Sequence, residues 1–304
     1  MLNPQSHPPP APYHGMAVSE AAYWQYYYEG LKPTFEWNNG ILEEKGVSDW
    51  ETARLFFWFF QLLAAYLQTH PRADLVMLEM GFHLSLFGKT TIRRPDIGVV
   101  LRDNPVPLAA RQNRYGGIFD ICLEGLSDSN AEVKQNDTVV KRQEYAQAGV
   151  SEYYILHHDL KECRFYRLNR HQGVYVPLRP GRGKVICSQV LPGFQWRLEE
   201  LIEQPPLLDL VKHPVYKDYV WPVLGDAWAE GAAAKRHAEL EAQLRAKAEQ
   251  AKREAEQRMA NEAALRQAAE QRAQEEAQLR QTAEQQAQEE AQLRQTAEQQ
   301  AAQY

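Results

Sequence analysis

Three short segments hold the side chains whose types and spacing could do chemistry. In IRRPDIGVVL an aspartate, Asp96, follows a proline and opens an apolar run from Ile97 to Leu101. An acid at the start of such a strand lies at the rim of a sheet, where a ligand can reach it; alone, Pro-Asp is also an ordinary strand-entry turn. In GIFDICLEGL, alternation sets Phe119, Ile121 and Leu123 on one face and Asp120, Cys122 and Glu124 on the other. Glu124 then ends a buried strand, and a carboxylate there is costly to desolvate unless it meets a cation or a partner. Two carboxylates on neighbouring strand ends make a hard-oxygen site suited to Mg²⁺ or Mn²⁺, ions that keep waters and accept phosphate oxygens. The third segment, NDTVVKRQEY, places Asp137, Lys141 and Tyr145 at i, i+4 and i+8, one face of a helix. By itself that is a solvated ion pair, and Arg142 and Glu144 make charge on this helix unremarkable.

The elements that must position these groups follow from pattern. VSEAAYWQYYYEGL reads as a docking helix over residues 18–31, and FEWNNGILEE as a hairpin about Asn39-Gly40. Ser48, with Glu51 three residues on, forms a capping box for a helix to about Gln68. The aromatic run Phe56 to Phe60 implies burial of that helix on nearly all sides. LVMLEM, FHLSL, IRRPDIGVVL and IFDICLE read as strands. A helix follows from about Glu132 to Gln147, stopped by Gly149. EYYILHH, ECRFYRL, GVYVPL and KVICSQVLPGFQWRL then give short strands. This order predicts an α/β fold, a central mixed sheet flanked by helices. His157-His158 falls just past a strand and reads as a surface pair. The segments around Trp196 and Trp221 read as core closure, not a base-stacking platform.

Composition sets limits. The 304-residue chain has a net charge of −6, and its tail from Glu230 carries 11 Lys/Arg against 14 Asp/Glu. Neither part is basic, which disfavours a broad, sequence-independent phosphate-gripping surface and leaves a local patch for any nucleic-acid contact. Cys122, Cys163 and Cys187 are far apart, which disfavours a disulfide framework or zinc site and fits a reducing compartment. The first 15 residues read as a Pro-rich disordered leader without the features of a signal peptide. LFFWFFQLLAAYL is too short for a membrane span, so a soluble, cytoplasmic protein is expected. A domain over 16–225 should be followed by a low-complexity Ala/Glu/Gln helical tail over 226–304. There AQEEAQLRQTAEQQ at Ala273–Gln286 recurs unchanged at Ala287–Gln300, and Leu265, Leu279 and Leu293 keep the 14-residue period. Arg272 and Gln286 hold the intervening heptad positions, so the tail is either a self-associating coiled coil or a solvated helix that takes a partner.

Together, RRPDIGVV, LEGLSDSN, DTVVKRQEYAQAGVSEYYIL and SQVLPGFQWRL, within roughly Gly30 to Ile202, resemble the Uma-type restriction endonucleases, a branch of the PD-(D/E)XK nuclease superfamily. The resemblance implies a restriction-endonuclease-like core and a Mg²⁺ or Mn²⁺ cofactor held by Asp96 and Glu124. It also implies hydrolysis of DNA phosphodiester bonds to 5′-phosphate and 3′-hydroxyl ends. The superfamily's lysine follows its second acid by two residues, where this chain has Leu126. Lys141 is the matching residue of this branch, stabilising charge at the phosphate or positioning water. By the same resemblance Tyr145 lines the pocket, and Asp137 orients Lys141 without binding metal. An acid among Glu36, Glu43 and Glu44 could complete the coordination, and the sequence does not choose between them. DNA is the expected partner of a homodimer, with the tail mediating self-association or partner binding. The alternative is a catalytically inactive, DNA-associated scaffold that uses the tail to recruit partners. A metal phosphatase is disfavoured because the usual Asp/His clusters are missing from the sequence pattern.

Overall fold

The structure, a computed structural model, describes residues 9–128 and 131–301. The disordered-leader expectation falls partly on residues 1–8, outside that range. Helix α1 (Glu20–Ala22) and a π-helical continuation, Tyr23–Tyr27, replace the longer docking helix expected over 18–31. Tyr23 and Tyr27 are buried beside Phe35, Trp37 and Leu42 of the following hairpin. That hairpin, β1 (Phe35–Asn38) and β2 (Ile41–Glu44), turns at Asn39 and Gly40, both with positive φ, as a two-residue turn of the right twist requires.

Helix α2 (Trp50–Thr69) is capped by Asp49, whose Oδ1 accepts the Thr52 amide at 2.9 Å. The capping box expected from Ser48 does not form, because the Ser48 hydroxyl instead donates to the Gly125 carbonyl at 3.0 Å. Nor is α2 buried all round: Trp58, Phe59, Leu62 and Tyr66 face the core, while Trp50 and Phe57 are exposed. Strands β3 (Ala73–Val76), β4 (Gly81–Leu86), β5 (Lys89–Arg93), β6 (Ile97–Leu101), β7 (Arg114–Tyr115) and β8 (Ile121–Gly125) follow. The helical segment expected near 132–147 comprises α3 (Ala131–Gln135), a π-helical turn Asn136–Val140 and α4 (Lys141–Ala148). Gly149 ends it at φ 94°, a left-handed cap that glycine adopts without a Cβ clash. Strands β9 (Glu152–Leu156), β10 (Arg164–Asn169), β11 (Val174–Pro177), β12 (Val185–Cys187) and β13 (Gln195–Arg197) precede α5 (Glu200–Glu203), α6 (Leu207–Leu210) and α7 (Lys217–Ala301).

The strands form two larger sheets where one was expected. The six-stranded sheet runs β11-β10-β9-β8-β6-β3 and is mixed, with β8 and β9 parallel. Its central strands are apolar on both faces. Ile97, Val99, Ile121, Leu123, Tyr154 and Leu156 pack under α2. Val100, Cys122, Tyr153 and Ile155 pack with Tyr145 of α4 on the other side. The face carrying Cys122 is therefore a second core layer, not a polar surface, and Phe119 belongs to it. The second sheet, β2-β1-β5-β4-β7, holds the hairpin, and Arg94-Pro95-Asp96 carries the chain from one sheet to the other. Trp196 closes the α2 side with its ring 5.0 Å from Phe59, whereas Trp221 is half exposed.

Residues 230–301 form a separate unit. It is helical throughout, with Leu265, Leu279 and Leu293 exposed and Arg–Glu pairs such as Arg280–Glu276 at i,i+4. Among the described residues, no helix is long and apolar enough to cross a membrane.

Gly98 of β6 tests the two-sided packing beside the candidate acids. A Cβ there would lie 2.6 Å from the Phe119 ring. Gly98→Ala is expected to lower stability by about 1–3 kcal/mol, the usual cost of overpacking, read as the urea midpoint; an unchanged midpoint would show the ring free to move.

Candidate active site

The register of β6 against β8 positions the two strand-end acids. Ile97 pairs with Leu123, so the chain just before β6 and the end of β8 lie side by side. The Gly125 amide donates to Asp96 Oδ2 at 2.7 Å, which fixes the aspartate at this sheet end. Glu124 is only 2% exposed. Its Oε1 accepts from Lys141 Nζ at 3.1 Å and from the Tyr145 hydroxyl at 3.0 Å. Lys141 also reaches Asp137 Oδ1 at 2.9 Å and Glu36 Oε1 at 3.4 Å. All five residues singled out in the sequence therefore meet in one cluster; of the hairpin acids, Glu36 pairs with Lys141 and Glu44 also lines the cavity. Glu36, Asp96, Glu124, Asp137 and Lys141 line one cavity of about 230 Å³.

The apolar residue at the superfamily's lysine position has a structural reason. Leu126 is fully buried with Tyr145, Tyr153 and Ile155, and its amide donates to the Leu156 carbonyl, extending the parallel ladder. An ammonium at that position would enter an apolar layer. Lys141 instead approaches Glu124 from α4, across that layer.

Lys45, three charged residues into the end of the hairpin strand, was not foreseen. Its Nζ stands 2.9 Å from Asp96 Oδ1 and 4.0 Å from Glu124 Oε2, and it donates to the Arg94 carbonyl at 2.6 Å. Arg93 was also not foreseen. Its fully buried guanidinium binds Glu144 through Nε at 2.5 Å, Glu36 at 3.0 Å and Glu43 at 2.5 Å. Glu144 is accordingly buried, not ordinary helix-surface charge. A lone arginine in a strand carries no spacing signal; only the sheet pairing brings it to three acids.

Burial shapes the protonation of the cluster. It would raise Glu36, but Lys141, Arg93 and Lys45 bring that carboxyl down to about 2. Burial drives Glu124 up to about 8, against the pull of Lys141 and Lys45 and with Asp96 and Asp137 adding to the rise. Burial likewise raises Asp137 despite Lys141. Both lysines, for which burial works against the charge, are held above their ordinary range by these carboxylates. The cluster thus gathers four carboxyls, Glu36, Asp96, Glu124 and Asp137, around two lysines. The donors are all oxygens, and among the described residues Glu124 Oε2 stands 4.0 Å from Lys45. This set fits a hard divalent cation.

One family model, described as "Putative restriction endonuclease", matches residues 21–199. The chain belongs to the Uma2 family. The mixed sheets flanked by helices are the restriction-endonuclease-like core of that family, and the match includes all five candidate residues. A solved structure described as a "putative nuclease belonging to DUF820 from Anabaena variabilis ATCC 29413" is similar at 13% identity and a TM-score of 0.46. The alignment covers 57% of this chain and 92% of that one. No curated protein matches.

Arg93 is the cluster's structural anchor. Arg93→Met should cost about 3–5 kcal/mol, the usual price of leaving buried charges unpaired, measured by urea unfolding. A loss below about 1 kcal/mol would mean that the three carboxylates find other partners.

Proposed function

We propose that the protein is a metal-dependent endonuclease that hydrolyses DNA phosphodiester bonds at the Asp96–Glu124 cleft. The observation that carries this reading is the convergence of Asp96, Glu124, Lys141 and Tyr145 on one strand end, inside the segment that the family model matches. Asp96 and Glu124 would hold Mg²⁺ or Mn²⁺, and Glu36, Glu44, Glu79 and Asp137 are the other acids of the same cavity. Such an ion supplies a Lewis acid for the scissile phosphate and lowers the pKa of its bound water. The remaining work falls to the chain itself. Lys141, kept charged by Asp137, Glu36 and Glu124, faces the cavity as an ammonium that can stabilise negative charge at phosphorus. Asp137 holds that ammonium in place, and the Tyr145 hydroxyl fixes Glu124 Oε1. The free thiols Cys122, Cys163 and Cys187 suit a reducing, cytoplasmic setting.

Purified protein is expected to cleave supercoiled plasmid with Mg²⁺ or Mn²⁺ and to stop on chelation. Asp96→Asn and Lys141→Met should each lower the rate by at least about 10²-fold, the scale of removing a group that stabilises transition-state charge. Cleavage persisting equally in both variants would sink the site; no cleavage by the wild type with either ion would favour the inactive scaffold.

The working assembly on this reading is a homodimer, with the exposed leucines of the tail as its contact. Light scattering should find the full chain dimeric and a chain ending at Ala229 monomeric. Equal oligomeric states for the two would remove the tail from that role.

A further inference from the structure

Outside the carboxylate cleft, the described residues contain one group of three metal-ligating side chains with converging atoms. A carboxylate oxygen of Asp49 and one ring nitrogen each of His157 and His158 all lie within 4.8 Å of one another. None of the three lines the Asp96 cavity. We propose that Asp49, His157 and His158 form a second metal site, taking a borderline first-row transition ion such as Zn²⁺.

Each donor is fixed by a different part of the fold. Asp49 is tied to the start of α2 through the Thr52 amide at 2.9 Å and hydroxyl at 2.8 Å. His158 follows β9, and its amide donates to Thr52 Oγ1 at 3.2 Å, bringing the strand end to the helix cap. His157, expected at the surface, is only 2% exposed. Its Nδ1 accepts the Asp159 amide at 3.0 Å and its Nε2 stands 2.9 Å from Asp128 Oδ2, so an ion bound at Nδ1 would take the place of the Asp159 amide contact and leave Nε2–H on Asp128. A carboxylate set against an imidazole is the arrangement that orients ligating histidines. An N-cap alone would need only Asp49 and Thr52; it gives no reason to bury one imidazole and hold a second with its ring 4.1 Å away.

The donor set decides the class of ion. Two imidazole nitrogens and one carboxylate suit Zn²⁺, Ni²⁺, Cu²⁺ or Fe²⁺, whereas the all-oxygen cleft suits Mg²⁺ or Mn²⁺. His158 Nδ1 lies 3.3 Å from Asp49 Oδ2.

The test uses the full, metal-free chain carrying Asp96→Asn, which weakens the other centre, titrated with Zn²⁺ by calorimetry. One equivalent should bind, and His171→Gln, at an exposed histidine, should leave its affinity unchanged. Adding Asp49→Asn, which preserves the cap because asparagine caps as well, or His158→Gln should weaken binding at least about tenfold, and Asp128→Asn about 10–100-fold. Cu²⁺ bound to the unaltered chain should show superhyperfine coupling to two imidazole nitrogens. No Zn²⁺ uptake, an affinity left unchanged by Asp49→Asn and by His158→Gln, or a Cu²⁺ spectrum without nitrogen coupling would overturn the site.

Discussion

The constraint on which the rest depends is the burial of more carboxylates than cations at one end of the six-stranded sheet. Glu36, Glu124, Asp137 and Glu144 are all nearly inaccessible, and Arg93 and Lys141 are buried among them. Moving one such charge out of water costs several kcal/mol even after relaxation, so each must keep its partners. Those partners come from different elements: Glu36 from β1, Lys45 from the end of the hairpin, Arg93 from β5, Lys141 and Glu144 from α4. The ion pairs therefore fix the second sheet and α4 relative to the strand ends that carry Asp96 and Glu124. The same network that makes the cleft polar also sets its shape.

This explains which parts were legible from sequence. Asp96 and Glu124 could be read because a charge at the end of an apolar strand breaks a local pattern. Asp137, Lys141 and Tyr145 could be read because helical spacing puts them on one face. The hairpin and the Gly149 stop likewise rest on residues adjacent in the chain. Lys45, Arg93 and Glu144 could not be read, since their meaning depends on pairings between segments about 50 residues apart. The second sheet escaped for the same reason: β1 pairs with β5 across α2, β3 and β4, with no local signal. His157 was misjudged because its burial comes from the loop that returns through Cys163, whose Sγ accepts the His157 amide.

Leu126 shows how a motif can lose a residue and keep its geometry. The position is committed to packing against Tyr145 and Tyr153, and its amide to the ladder with β9. An amine is still delivered to Glu124, but from the helix that covers the same apolar layer. Tyr145 serves both needs at once, packing its ring beside Phe82 and Tyr153 while its hydroxyl reaches Glu124. The helix is thus bound to the sheet by apolar burial and to the acid by two hydrogen bonds, so the lysine's reach follows from packing.

On the nuclease reading, the charge balance also orders events at the cleft. Lys45 already stands on Asp96 and near Glu124, and the adjoining cavity of about 560 Å³ is lined by Glu43, Glu44 and Glu132. A phosphodiester entering these surroundings would meet these carboxylates beside two lysines already paired with five acids. On that reading the field would favour phosphate where a divalent cation enters with it. A cation held by Asp96 and Glu124 would offset the charge of both acids, which Lys45 now meets. On this reading the excess of carboxyls, unfavourable to DNA alone, would suit the joint entry of metal and substrate.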